Sequence, residues 1–235
     1  MIPIKDLNPR VKFPFITILL ILSNVFIYVF FLLKKGTADQ VIANYALYPV
    51  QFRNLLISMR LPDNYNFLMD LVTYMFLHGS WMHLIGNCWF LWIFGDNVEG
   101  VMGHFRYLIF YLISGVFACF VHIAITSTPE MPIIGASGAI AGVMGAYLIL
   151  FPRSKILTFV PLIFIWFIPI PAFIFLILWF VGQLLSGVTT LFSSEGMSNI
   201  AFWAHIGGFL VGIIGGINNR KRKEIVYRKK YYTEA

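Results

Sequence analysis

The 235-residue chain is 59% hydrophobic and only 11% charged, against about 25% charged in a typical soluble domain. Apolar surface on that scale excludes a water-soluble globule and makes lipid the expected solvent. The net charge of +7 does not point to nucleic acid, because seven of the 17 basic residues fall between Arg220 and Lys230. That run directly follows an apolar segment, as a membrane-flanking tail beside anionic headgroups does. The length fits one domain over 1–235, with no low-complexity linker to divide it. Cys88 and Cys119 both lie in apolar runs and read as reduced, buried thiols rather than a disulfide or a metal pair.

In chain order, Phe13 to Leu33 is 21 residues without a charge, enough at about 1.5 Å per residue to cover a 30 Å hydrocarbon layer. It has neither the short core nor the cleavage site of a signal peptide. A polar stretch follows, in which Leu55, Leu56 and Met59 suggest a partly interfacial helix. Further spans are expected at 81–98, 107–126 and 136–151, the last stopped by Pro152. Ile156 to Ser194 carries no charge and is interrupted by Pro161, Pro169 and Pro171. Because proline is tolerated in a first helical turn, the fifth span is placed at 171–191. Ile156 to Ile170 is left as an interfacial or re-entrant piece. The sixth span is expected at 200–217, with 218–235 as a basic tail.

An even number of spans puts Lys5, Arg10, Lys12, Arg106, Arg153, Lys155 and the basic tail on one side, 13 of the 17 basic residues. The positive-inside rule makes that side cytoplasmic, with both termini there. Lys34 and Lys35 are the exception, and a seven-span alternative fits the charges less well. The expected fold class is an all-α polytopic membrane protein of six transmembrane helices.

Polar groups inside a membrane are costly and default to functional candidates. Three constellations stand out: Gly135-Ala136-Ser137-Gly138 at the start of span four, His205 in Ala204-His205-Ile206-Gly207-Gly208, and His83 with Asn87 on one face of span two. Spans two, four and six all run from outside to inside, so the three groups share the outer part of the membrane. Gly145 with Ser137 and Ala141, flanked by Gly138 and Gly142, and Gly208, Gly212 and Gly216 form small-residue stripes that let two helices approach. A hydroxyl becomes a nucleophile when a base takes its proton, and neutral histidine does this near pH 7. With no Asp or Glu placed to orient His205, a Ser137–His205 dyad is expected. The Ser137 backbone N–H, the Asn87 amide and the His83 side chain are candidate oxyanion donors. His78, His104 and His122 read individually as packing or interface residues.

The segments His78-Gly-Ser-Trp-Met-His83-Leu-Ile-Gly-Asn87, Gly-Ala-Ser137-Gly-Ala-Ile-Ala-Gly and Ala-His205-Ile-Gly-Gly-Phe-Leu-Val-Gly, in this order, resemble those of the rhomboid proteases. The resemblance covers nearly the whole chain. It implies a six-helix rhomboid-like bundle and an intramembrane serine endopeptidase acting on transmembrane protein substrates. It makes Ser137 the nucleophile, His205 the general base and His83 with Asn87 part of the oxyanion hole, with His78 and Gly135 supporting the site. It also implies a Glu99–Arg106 structural pair on the cytoplasmic side. Two departures stand out. Ala141 replaces an aromatic residue that packs on the histidine in many relatives, and Met69 and Asp70 replace a tryptophan–arginine pair of the first outer loop. A proton-coupled transporter and a client-binding relative without activity are the rival readings. The first lacks a mid-membrane acid and internal repeats, and the second generally loses the serine or the histidine. No cofactor or metal is implied. The expected partners are membrane lipid and transmembrane substrates, in a multi-pass cell membrane setting such as a bacterial plasma membrane.

Overall fold

Apolar runs make the long helices here, and tertiary hydrogen bonds help decide where they begin and end. The computed structural model describes residues 1–34, 38–58, 67–161, 165–192 and 200–232. The first helix, α1 (Phe15–Leu33), begins with backbone N–H groups that have no intrahelical partner. A distant carboxylate satisfies them. Glu99 Oε1 accepts from Ile16 N at 2.8 Å, and Oε2 accepts from Thr17 N at 2.8 Å and from the Thr17 hydroxyl at 2.7 Å.

After α1 the chain forms α2 (Ala38–Tyr45), α3 (Pro49–Ser58) and α4 (Phe67–Thr73). The interfacial helix expected around Leu55 corresponds to α3, although Met59 lies outside the described residues. Arg53 pins this region: its Nε and Nη2 donate to the Ile123 carbonyl at 3.0 and 2.6 Å, and Nη2 also reaches the Thr126 carbonyl at 2.9 Å.

The main bundle follows as α5 (Trp81–Met102), α6 (His104–Ile125), α7 (Ser137–Leu150), α8 (Ala172–Phe192) and α9 (Phe202–Tyr232). Helices α1, α6 and α8 are long and apolar enough to cross a membrane, and α7 is a shorter apolar helix. Gly103, at φ +76°, makes the turn between α5 and α6 in a single residue, a conformation glycine adopts without penalty. This tight turn corrects one expectation. Glu99 does not pair with Arg106; it meets His104 Nδ1 at 2.5 Å and the start of α1. Arg106, two residues further on, is exposed.

The second correction concerns the all-α class. The stretch expected to be interfacial or re-entrant is a β-hairpin, β2 (Lys155–Pro161) and β3 (Ile165–Pro171), and β2 also pairs with β1 (Ile2–Asp6). Both pairings are antiparallel, in the order β1-β2-β3. β-branched and aromatic residues favour the extended chain, and Pro169 and Pro171 fall on β3, an edge strand, where a missing N–H is tolerated. The sheet is fastened to the helices. Trp89 Nε1 donates to the Pro3 carbonyl at 2.6 Å, and Asp6 Oδ2 accepts from Asn97 Nδ2 at 2.6 Å and Tyr147 OH at 3.0 Å.

The segment expected as a basic tail is helical as far as Tyr232, a continuation of α9 past 217. Its basic residues meet carbonyls at the ends of other helices. Arg222 Nε donates to Val101 O and Lys223 Nζ to Leu150 O, both at 2.6 Å. Cations at helix C-termini satisfy orphan carbonyls and complement the helix dipole. α7 is the central helix, buried continuously from Gly138 to Tyr147, and it packs most intimately on α9.

Candidate active site

The α7–α9 contact follows from glycine. A Cβ on Gly208 would overlap the Gly138 carbonyl, one on Gly212 the Gly142 carbonyl, and one on Gly145 the Phe209 carbonyl. The two backbones therefore touch along a seam where side chains are excluded, as small-residue interfaces permit in lipid. The stripes expected from sequence do face each other, with closest approach on the Gly138–Gly142 side.

At one end of the seam stand Ser137, the first residue of α7, and His205, in the first turn of α9. They are 68 residues apart, and His205 Nε2 lies 2.8 Å from Ser137 Oγ. His205 is only 8% exposed, so its polar atoms need partners. Its other nitrogen, Nδ1, lies 2.6 Å from Gln183 Oε1 on α8. The ring is flanked by Trp179 at 5.9 Å and by Phe202, edge-on, at 6.4 Å. Ala141 carries no ring, and the aromatic contacts to His205 come from α8 and α9 in place of α7.

The approach to Ser137 is shaped by Gly135. Its φ is +110°, and its N–H donates to the Tyr74 carbonyl at 2.8 Å. A Cβ there would come within 2.5 Å of His83 Nε2 and 3.4 Å of Asn87 Nδ2. His83 and Asn87 therefore press against the backbone just before Ser137. Both come from α5, whose N-terminus is capped by Ser80, its hydroxyl accepting from His83 N at 3.2 Å.

His78 lies beside them, its ring centroid 5.0 Å from that of His83. Its Nδ1 faces the Phe76 carbonyl at 3.3 Å and its Nε2 faces Asn87 Nδ2 at 3.0 Å. A carbonyl only accepts, so the Nδ1–H tautomer satisfies both contacts and orients the Asn87 amide. The structure thus brings all six sequence candidates to one end of the bundle: Ser137 and His205 hydrogen-bonded, and His83, Asn87, His78 and Gly135 alongside.

Sequence reasoning missed Gln183 and Trp179. The available signal was an amide in an otherwise uncharged segment, one helical turn from a tryptophan, which intramembrane polarity marks as a candidate.

This geometry, a serine–histidine pair on facing helices of an apolar bundle, defines a class of multi-pass membrane protein with a potential nucleophile. Residues 66–221 match the Rhomboid domain, and the chain belongs to the rhomboid family. It is 28% identical over 150 residues to the mitochondrial Rhomboid protein 1 of Saccharomyces cerevisiae, covering 60% of this chain and 39% of that protein. It is 38% identical over 85 residues to the chloroplastic Rhomboid-like protein 11 of Arabidopsis thaliana, covering 36% of this chain and 30% of that one. It is also 32% identical over 90 residues to the mitochondrial Presenilin-associated rhomboid-like protein A of Danio rerio, covering 37% and 24%. The chain thus spans well under half the length of these curated relatives. Their names place them in mitochondria and chloroplasts, and lend no support to the expected bacterial plasma membrane.

Proposed function

We propose that the protein is an intramembrane serine endopeptidase that hydrolyses peptide bonds in or near the transmembrane segments of other membrane proteins. The observation that carries this reading is the 2.8 Å approach of His205 Nε2 to Ser137 Oγ at the end of the α7–α9 seam. In the proposed reaction, His205 takes the hydroxyl proton as Ser137 Oγ attacks the scissile carbonyl. The same proton then passes to the leaving amine, and a water molecule repeats the sequence to release the acyl group. Negative charge developing on the carbonyl oxygen needs preorganised donors. The Ser137 N–H at the start of α7 and the side chains of His83 and Asn87 are assigned that role, with His78 and Gly135 holding them in place.

For the topology we propose six spans, formed by α1 and α5 to α9 within one domain over 1–235. The Ser137 end faces the outer side, and both termini lie in the cytoplasm. The charges of α5 and α9 support this arrangement, since Asp96, Glu99 and the basic run from Arg220 all lie towards the opposite end from Ser80 and His205. Lipid and transmembrane substrates are the expected partners.

The testing experiment is cleavage of a single-span substrate by purified, detergent-solubilised protein, comparing wild type with Ser137→Ala and His205→Ala. Cleavage by wild type alone, near the outer membrane boundary of the substrate, is the expected result. Folded protein that cuts none of several substrates would instead favour a client-binding role.

A further inference from the structure

A serine–histidine dyad works only with the imidazole in one tautomer. The Nε2 lone pair must face the hydroxyl, so the ring proton has to sit on Nδ1. In soluble serine hydrolases a carboxylate commonly enforces this, and none contacts His205 among the described residues. We infer that Gln183 is the positioning residue that fixes the His205 tautomer, an inference that rests on the protease reading of the same site.

Gln183 Oε1 lies 2.6 Å from His205 Nδ1, and an amide oxygen only accepts. The Nδ1 proton therefore points at Gln183, leaving Nε2 bare towards Ser137 Oγ at 2.8 Å. With the amide turned over, its NH2 group would donate to Nδ1 and drive the ring proton onto Nε2. Ser137 would then face a donor where it needs a base.

Trp179 and Gln183 are four residues apart on α8 and so occupy one helix face. Trp179 lies beside the imidazole ring, 5.9 Å between centroids, while Gln183 holds its edge. One face of α8 thus supplies both the packing and the hydrogen bond that orient His205. The role is independent of the Gly138–Gly208 seam, which sets the distance between α7 and α9 but says nothing about which ring nitrogen carries the proton.

The test compares wild type, Gln183→Leu and Gln183→Glu in detergent, with thermal melting to confirm folding. Leucine removes the acceptor at similar size, whereas glutamate keeps an accepting oxygen. Two readouts are taken: kcat and KM on the single-span substrate, and the 15N signature of the His205 ring, assigned by its loss in His205→Ala. Gln183→Leu is expected to lower kcat by at least about a hundredfold, the low end of what a positioned general base contributes, with KM nearly unchanged. Its ring signal should shift from the Nδ1–H form towards a mixture. Gln183→Glu should restore both kcat and the Nδ1–H signature. Gln183→Leu with wild-type kcat and tautomer overturns the inference, as does a loss that follows melting temperature alone and is not rescued by glutamate. A wild type that cleaves nothing, while its ring signature still changes in Gln183→Leu, would remove the protease reading and leave the tautomer assignment intact.

Discussion

Glu99 takes two hydrogen bonds from Thr17, one from the backbone N–H at 2.8 Å and one from the hydroxyl at 2.7 Å. A carboxylate at the end of α5 thereby serves as the N-terminal cap of α1, and it is almost wholly buried. Hydrogen bonds to a charged group contribute about 1.5–3 kcal/mol. Glu99→Ala is expected to destabilise the folded protein by at least about 2 kcal/mol, and Glu99→Gln, which keeps one acceptor, by less. Thermal unfolding in detergent measures both. Equal melting temperatures for all three proteins would show that α1 needs no such cap.

Asp6 gives β1 a pH dependence. Burial, together with the adjacent Asp96 carboxylate, raises its pKa from 3.8 to about 7. Between those values the folded chain retains a proton that the unfolded chain has released, so stability falls as pH rises from about 4 to about 7 and levels off above. The melting temperature of wild type should therefore drop between pH 5.5 and pH 8 by more than that of Asp6→Asn. Parallel curves for the two proteins would exclude Asp6 as the titrating group.

Glycine substitutions separate the seam from the rest of the helices. A Cβ at Gly212 would collide with the Gly142 carbonyl, whereas one at Gly86 meets nothing within 4 Å. Gly212→Ala should force α7 and α9 apart and cost about 1–3 kcal/mol, as overpacking does, with cleavage reduced in step. Gly86→Ala should leave the melting temperature unchanged or raise it slightly, since alanine exceeds glycine in helix propensity by about 1 kcal/mol.

At Gly135 the expected loss falls on activity more than on stability. An alanine there meets both an unfavourable φ of +110° and the His83 ring. Displacing one oxyanion donor costs about 10²- to 10³-fold in kcat. Gly135→Ala should show a loss of that order on the single-span substrate, together with a modestly lower melting temperature.

Much of this architecture is readable from the sequence because membranes constrain it so tightly. Apolar runs located most of the helices, Pro152 marked where α7 stops, and Ser137 and His205 were read as neighbours at the starts of their helices, where the structure puts them 2.8 Å apart. What escaped was long-range. The pairing of residues 2–6 with 155–161 leaves no local signature, since five residues ahead of α1 are too few to mark a strand by their own pattern. The Glu99 cap joins residues 82 positions apart at Thr17, and the turn at Gly103 then favours His104 over Arg106. Gln183 belongs to no motif, and its role emerges only when α8 is seen beside α9.

The first strand also has a consequence for how the protein is made. Ile2 is made well before its partner across the sheet, Phe159. At the usual 5–20 residues per second of synthesis, β1 waits about 8–30 s before any edge exists for it to join. Four helices of the bundle, α1 and α5 to α7, precede that edge in the chain. Sheet closure is therefore a late, non-local step of the kind that slows folding. A ribosome stalled anywhere between β1 and the hairpin holds a chain in which β1 is still unpaired and open to proteases.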